Sequence, residues 1–143
     1  MSKVPGAECK VIRTTSESQG TQGFDYMEAI SAESVESKGI CMHLLTIPPS
    51  GRSKAHLHQD HETAIYVLSG KAGMWHGEQL EQHIEVEAGQ FLYIPPGVPH
   101  LTYNASATES CSAVIARTDP NQLESVTLLP ELEGLRPDRS QTN

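Results

Sequence analysis

The chain has 143 residues and a formal net charge of −8 at pH 7. This length predicts one domain, and 37% apolar with 20% charged residues is typical of a soluble globule rather than a disordered chain. The acidic balance repels phosphate backbones and argues against nucleic acid as a partner. No apolar run approaches the ~18 residues that a membrane-spanning helix needs, and residues 1–20 contain no apolar secretory segment. We therefore expect neither a membrane nor a nucleic-acid protein.

The elements follow from composition along the chain. Residues 1–38 are polar and predict an N-terminal arm with one or two short elements near the apolar segment 24–30. Residues 39–118 alternate short apolar runs with Gly and Pro, which predicts a β-barrel with strands at 40–47, 53–58, 64–68, 71–76, 83–86, 90–94, 100–104 and 111–117. Residues 119–143 predict a C-terminal extension with a short helix starting at Thr118-Asp119-Pro120 and a frayed tail from Arg136.

Histidines are the residues most able to carry chemistry. Six of the seven lie between positions 56 and 100, beginning with the pair His56 and His58. On a strand, residues two apart share one face, so both imidazoles can bind one divalent transition metal. The pair alone is weak evidence, because chance produces such a spacing often. The seventh histidine, His43, is expected to be a hydrogen-bonded or edge residue of its strand. In the other register it would point into the cavity and could orient a bound substrate.

A second ordered group strengthens the metal hypothesis. It runs from Gly89 through Pro95 and Gly97 to His100 and Asn104. The dipeptide Pro96-Gly97 suits a type II turn, which needs a positive φ at its third position. This turn delivers His100 to the beginning of a strand, where it supplies a third imidazole.

In order and spacing, the two groups resemble the cupin superfamily, as a small single-domain cupin. The family's first motif, G-x5-HxH-x3,4-E-x6-G, is matched at Gly51, His56, His58 and Gly70, with one residue fewer between Gly51 and His56. Its second motif, G-x5-PxG-x2-H-x3-N, is matched at every position over 89–104. The resemblance implies an all-β fold, a double-stranded β-helix or jelly-roll barrel. It also implies a divalent transition metal held by His56, His58 and His100.

The glutamate of the first motif is where this chain departs from the family. The family keeps six residues between its glutamate and the closing glycine, and counting back from Gly70 in this way gives Thr63, not Glu62. Strand alternation agrees, since Thr63 shares the apolar β-branched face of its strand and Glu62 lies on the other face. Three alternatives remain open: a bare three-histidine site, Glu62 turned inward by a β-bulge, or His61 as a fourth ligand.

Function is left among three hypotheses. The favoured one is an oxygenase or dioxygenase that uses a histidine-bound divalent metal on a small organic molecule. The alternatives are a redox-neutral isomerase, lyase or cyclase with the metal as Lewis acid, and a non-catalytic small-molecule-binding protein. The affinity order of divalent metals does not choose among Fe, Mn, Ni, Cu and Zn.

Assembly and location are also predicted. The exposed edges of an open jelly roll favour a homodimer. Three cysteines, Cys9, Cys41 and Cys111, form no CxxC motif and are odd in number, so we expect no disulfide framework and a cytoplasmic location.

Overall fold

The computed structural model of the protein describes residues 7–14, the backbone of 17–19, and residues 23–121 and 125–136. These residues form two antiparallel β-sheets. The elements are β1 (Glu17–Gln19), β2 (Asp25–Ile30), helix α1 (Ala32–Val35), β3 (Cys41–Ile47), β4 (His56–Leu57), β5 (Thr63–Ser69), β6 (Lys71–His76), β7 (Gln82–Glu87), β8 (Phe91–Ile94), β9 (His100–Asn104), β10 (Cys111–Arg117), β11 (Thr127–Leu128) and a 3-10 turn (Pro130–Leu132). No helix in these ranges is both long and apolar enough to cross a bilayer.

The two sheets face each other with interleaved strand order. One sheet has the order β1-β2-β3-β10-β5-β8, and the other has the order β11-β4-β9-β6-β7. Consecutive strands therefore alternate between sheets at several points, which is the winding of a jelly roll. The predicted all-β jelly-roll fold is confirmed.

The core lies between the sheets because the strands alternate apolar and solvent-facing positions. In β3, the side chains of Cys41, His43, Leu45 and Ile47 point inward and are buried. The main cluster of buried side chains comprises Phe24, Tyr26, Leu45, Ile47, Val67, Ala72, Met74, Val86, Leu92, Ile94, Cys111 and Ile115. Burying each large member contributes roughly 1.5–3 kcal/mol to folding.

The apolar segment 24–30 forms part of this core. Its strand β2 pairs antiparallel with β3 and extends the six-stranded sheet. Phe24 and Tyr26 enter the interior, with only 5% and 7% of their surfaces exposed. The proposed boundary at residue 38 stays a prediction.

Two expectations about the chain's course are wrong. The strand predicted at 53–58 forms only at His56–Leu57, because the Ser53 hydroxyl accepts the hydrogen bond from Thr102 N that a backbone carbonyl would take in a regular ladder. The helix predicted to start at 118 does not form over residues 118–121. There the Asp119 carboxylate accepts a hydrogen bond from the Asn121 backbone, and the Pro120 carbonyl accepts one from Ala32 N. Residues 122–124 and 137–143, including most of the predicted tail, lie outside the described residues.

The outer side of the five-stranded sheet is covered by the segment that ends the described chain. A second cluster of buried side chains joins Ala55, Leu80, Leu101 and Leu132 there. Tyr103 lies across the glycine of β6, Gly73, and its hydroxyl is 2.6 Å from His83 Nε2.

Substituting Gly73 by alanine tests this packing. The new Cβ would overlap the Tyr103 ring, so we expect Gly73→Ala to lower the free energy of unfolding by about 1–3 kcal/mol. Urea unfolding measures the change. Gly39→Ala is the matched control, because a Cβ at Gly39 meets nothing within 4 Å. Equal stabilities for the two variants would contradict the packing described here.

Candidate metal centre

Three buried histidines converge inside the barrel. His56 in β4 and His100 at the start of β9 are directly paired across the sheet, and His58 follows β4 on the same face. The distance between ring centroids is 4.2 Å for His56 and His100, 4.9 Å for His56 and His58, and 5.2 Å for His58 and His100. One ligand atom from each lies within 4.8 Å of the others. Among the described residues, this is the group of histidine, cysteine or carboxylate side chains that could hold a metal ion.

Backbone carbonyls determine which nitrogen each imidazole presents. His56 Nδ1 lies 2.6 Å from the Lys54 carbonyl, and His100 Nδ1 lies 2.9 Å from the Val98 carbonyl. His58 Nδ1 lies 3.2 Å from the Ser125 carbonyl. A carbonyl only accepts, so each Nδ1 carries the proton and each Nε2 carries the lone pair. Supporting hydrogen bonds of this kind orient metal-binding histidines in proteins.

The turn of the second motif joins the two histidine-bearing segments. Gly97 has a φ of 79°, as the predicted type II turn requires, and its backbone N–H donates to the His58 carbonyl over 2.6 Å. The same turn leads into β9 and His100. Hydrogen bonding between the motifs therefore sets the position of His58 relative to His100.

A small cavity lies beside the histidines. Its lining residues are Phe24, Tyr26, Leu45, His56, His58, Thr63, Ile65, Ile94, His100, Thr102 and Ile115. It holds about 40 Å³ of space for water-sized groups and is partly open to solvent. None of these lining residues carries a carboxylate. The donor set is three neutral imidazoles, a combination that suits Fe, Mn, Co, Ni, Cu or Zn as divalent ions.

Thr63 takes the place in this cavity that strand alternation predicts. It begins β5, faces inward and is 3% exposed. Its hydroxyl is buried and has no hydrogen-bond partner among the described residues. A buried polar group without a partner is costly. Thr63 therefore brings to the cavity a buried hydroxyl that no described protein group satisfies.

Glu62 lies outside the cluster. Its side chain is exposed on the opposite face of β5 and accepts a hydrogen bond of 2.8 Å from the Tyr93 hydroxyl. That hydrogen bond raises the pKa of Tyr93. Both backbone groups of Glu62 bond to Thr118, so no bulge turns the carboxylate inward. The structure thus places the Glu62 carboxylate on the outer face of β5, away from the three histidines, whereas the inward-turned alternative needed a bulge there.

His61 is also outside the group of three, although it is buried. Its ring lies 4.6 Å from that of His58, and its Nδ1 lies 3.7 Å from an Asp119 carboxylate oxygen. The structure thus places His61 behind His58 and next to an acid, and does not gather it with His56 and His100. The assignment of metal ligands as such stays a prediction.

Several residues of the site were not anticipated from the sequence. Phe24 and Tyr26 form part of the cavity wall. Their spacing of two residues, which puts both side chains on one face of a strand, was the signal in the sequence. His43, for which the sequence left an inward register open, is buried on the inner face of β3, and its ring meets that of Tyr26 edge-on with 6.0 Å between the centroids. Arg117 is buried directly opposite Thr63 on β10 and donates to the Asn121 carbonyl over 3.0 Å. Such long-range pairings leave no local pattern in a sequence.

Replacing Thr63 by valine in the metal-free protein tests the environment of its hydroxyl. Because valine has the same shape and no unpaired polar atom, we expect the free energy of unfolding to rise by about 1–2 kcal/mol. Thermal unfolding of chelator-treated protein measures this. A loss of stability would mean that the hydroxyl is already well bonded within the protein.

The chain matches one known protein family and several solved structures. The family model of the cupin domain matches residues 43–116. None of the curated proteins matches the chain. A proposed sugar phosphate isomerase from Acidithiobacillus ferrooxidans is similar at 24% identity and a TM-score of 0.56, over 71% of this chain and 65% of that one.

Two further structures show the same fold. An oxalate oxidase in complex with glycolate has 19% identity and a TM-score of 0.61, over 76% of this chain and 56% of its own. The Mn(II)-containing oxalate decarboxylase of Bacillus subtilis has 21% identity and a TM-score of 0.66, over 90% of this chain and 35% of its own. The chain thus spans less than two thirds of each protein. Since the family model covers just over half of the 143 residues and both histidine motifs lie within its span, the chain belongs to the cupin superfamily.

Proposed function

We propose that this cupin is a metal-dependent enzyme that acts on a small organic molecule, and specifically an oxygenase with a divalent metal on His56, His58 and His100. The observation that carries the proposal is the backbone carbonyl behind each imidazole, which leaves the lone pair on Nε2 of three rings whose ligand atoms lie within 4.8 Å of one another. When bound, a redox-active metal there would supply Lewis acidity and electrons for oxygen chemistry.

The coordination number supports oxygen chemistry over a closed structural site. Three protein ligands leave positions for a substrate and a second small molecule, whereas structural metal sites are filled by protein side chains. The outward position of Glu62 removes the carboxylate that would fill one of these positions. The chain's own residues then hold the metal, exclude bulk water with apolar walls and admit only the reacting end of the substrate.

A redox-neutral isomerase, lyase or cyclase is the second candidate. The observation that favours it is the pair formed by His61 and Asp119, 3.7 Å apart and next to His58. A histidine beside a carboxylate is a common arrangement for moving a proton. His61 does not line the cavity, so in this candidate its ring must turn past His58 to take a proton from the substrate and return it.

Metal analysis combined with oxygen uptake tests the proposal. We expect protein purified without chelator to contain iron or manganese at about one ion per chain, and to consume oxygen with at least one of catechol, acetylacetone or cysteine. His56→Ala and His100→Ala remove direct ligands. Their metal affinity should therefore fall by more than the ~10–100-fold that loss of a supporting hydrogen bond costs.

His83→Ala is the matched control, since His83 lies on the other side of the five-stranded sheet. It should retain the metal and the oxygen uptake. Zinc as the bound metal with no oxygen uptake would favour the redox-neutral candidate. If the wild type binds no metal, and His56→Ala changes neither ligand binding nor stability, both candidates fail.

We also propose that the protein forms a homodimer through the outer face of its six-stranded sheet. This face, called the outer apolar face, consists of Ile40, Met42, Leu44, Thr46, Ala64, Tyr66, Leu68, Phe91, Tyr93, Ser112, Val114 and Ala116, with Glu62 at one corner. Phe91 is 79% exposed, Ile40 58%, Tyr93 57% and Leu68 50%. A soluble monomer rarely exposes a continuous apolar surface of this size.

Charge and area both favour a second copy as the occupant. A chain of net charge −8 repels itself, so two copies can meet only where charge is scarce. Within the four strands of the outer apolar face, Glu62 is the one charged residue, and it is already bonded to Tyr93; the exposed Asp25 of β2 borders the face opposite Thr46. Four strands of up to seven residues cover roughly 400–500 Å² in projection. The flanks of the side chains add to this towards the ~800 Å² that each partner buries in a typical stable dimer.

Size-exclusion chromatography with light scattering tests the dimer. We expect twice the 15.6 kDa mass of one chain for the wild type, and a single-chain mass for Leu68→Lys with Phe91→Lys, because a buried lysine ammonium is costly. Val11→Lys is the control, because Val11 is 97% exposed and does not belong to this face. A wild type that elutes as a monomer would contradict the proposal.

A cytoplasmic location is proposed from the cysteines. Cys41 and Cys111 are buried free thiols, and Cys9 is an exposed one. Burial raises the pKa of the Cys111 thiol, which keeps it unreactive. Reduced cysteines are typical of a reducing compartment.

A further inference from the structure

We propose that the hydroxyl of Thr63 donates a hydrogen bond to a carboxylate that binds beside the metal, so that the site selects a small carboxylic acid in its ionised form. The inference rests on the proposed three-histidine metal centre. It adds the chemical class of the ligand and the residue that recognises it.

The charge of the site calls for an anion. The three imidazoles are neutral, and none of the residues that line the cavity supplies a carboxylate. The remaining walls are mainly the apolar side chains of Leu45, Ile65, Ile94 and Ile115. A divalent charge in such surroundings is stabilised only by a compensating charge close to it. The negative charge must therefore come from outside the protein, as a metal-bound hydroxide or as an anionic ligand that enters and replaces it.

The hydroxyl of Thr63 is placed to recognise that anion. The residue is 3% exposed and lines the same cavity as the histidines, and its Oγ1 has no hydrogen-bond partner among the described residues. Its neighbours on the inner face of β5 are Ile65 and Val67, which are both β-branched and carry no polar atom. Valine would fill the position of Thr63 equally well. Compared with valine, threonine adds only a hydroxyl, which can donate and accept a hydrogen bond. An ionised carboxylate can only accept, so it needs a donor such as this one.

The size of the cavity limits what can lie next to Thr63. Its 40 Å³ accommodates about three water-sized groups, since one water needs roughly 10–15 Å³ by the same measure. A carboxylate group has three heavy atoms and fits this space. The rest of a larger acid would extend into the wider space at the solvent side.

Cobalt-loaded protein provides a test that needs no substrate turnover. Metal-free protein is loaded with Co(II), and formate, the smallest carboxylate, is titrated while the visible absorption of the cobalt is recorded. Formamide, which has the same shape but no charge, is titrated in parallel. We expect formate to change the spectrum at saturable concentrations and formamide to bind at least about 10-fold more weakly, because only formate compensates the charge.

Four variants separate the role of Thr63 from that of the fold. Thr63→Val should bind cobalt like the wild type and formate about 10–100-fold more weakly, the usual effect of losing one hydrogen bond to a charged group. Thr63→Ser keeps the hydroxyl and should stay within about threefold. Thr63→Glu places a carboxylate in the cavity, so it should hold cobalt more tightly and lose formate binding. The control Thr108→Val, at an exposed loop position outside the cavity lining and the outer apolar face, should change nothing.

The outcomes distinguish this inference from the proposed function. If the wild type does not take up cobalt, the metal centre fails and the carboxylate site fails with it. If the wild type binds cobalt but not formate, or binds formamide equally well, the metal centre stands and the inference is overturned. Formate binding by Thr63→Val at wild-type strength also overturns it, because the anion would then bind without the hydroxyl.

Discussion

Three hydrogen bonds from imidazole N–H groups to backbone carbonyls are the constraint on which the site depends. They hold His56, His58 and His100 in the tautomer that leaves the lone pair on Nε2. Two of the carbonyls, those of Lys54 and Val98, lie two residues before the histidine that they orient. The third, that of Ser125, belongs to a segment far along the chain. The local backbone therefore prepares most of the site, and the C-terminal extension completes it.

The position of one carboxylate decides the character of the site. Alternation along β5 places Thr63 in the cavity and Glu62 on the outer face, where Tyr93 bonds to it. A glutamate ligand would reduce the charge of a bound dication and occupy one of its positions. With threonine there, both the charge and the open position remain for a ligand from solution. This is why we infer that the site takes a small ligand that brings its own negative charge.

The sequence predicts those parts of the structure that depend on local patterns. Apolar alternation identifies the central strands, and the spacing of the two motifs brings His56, His58 and His100 together. Alternation along β5 also places Thr63 inside. Whether a bulge turns Glu62 inward depends on the backbone itself and cannot be read from the sequence. Local patterns do not reveal pairings between distant segments, such as the contribution of Tyr26 to the cavity or of Ser125 to His58. The contact between Ala32 N and the Pro120 carbonyl is another such pairing, and it lies in the segment 118–121, where the expected helix start does not form.

X-ray absorption of the metal-loaded protein is the most direct test of the account. The fine structure counts imidazole ligands by their scattering and gives the metal–nitrogen distance. The account predicts three imidazoles at about 2.0–2.2 Å, with light oxygen or nitrogen atoms from solvent in the remaining positions. A spectrum with fewer than three imidazoles, or with sulfur from a cysteine as a ligand, would contradict it.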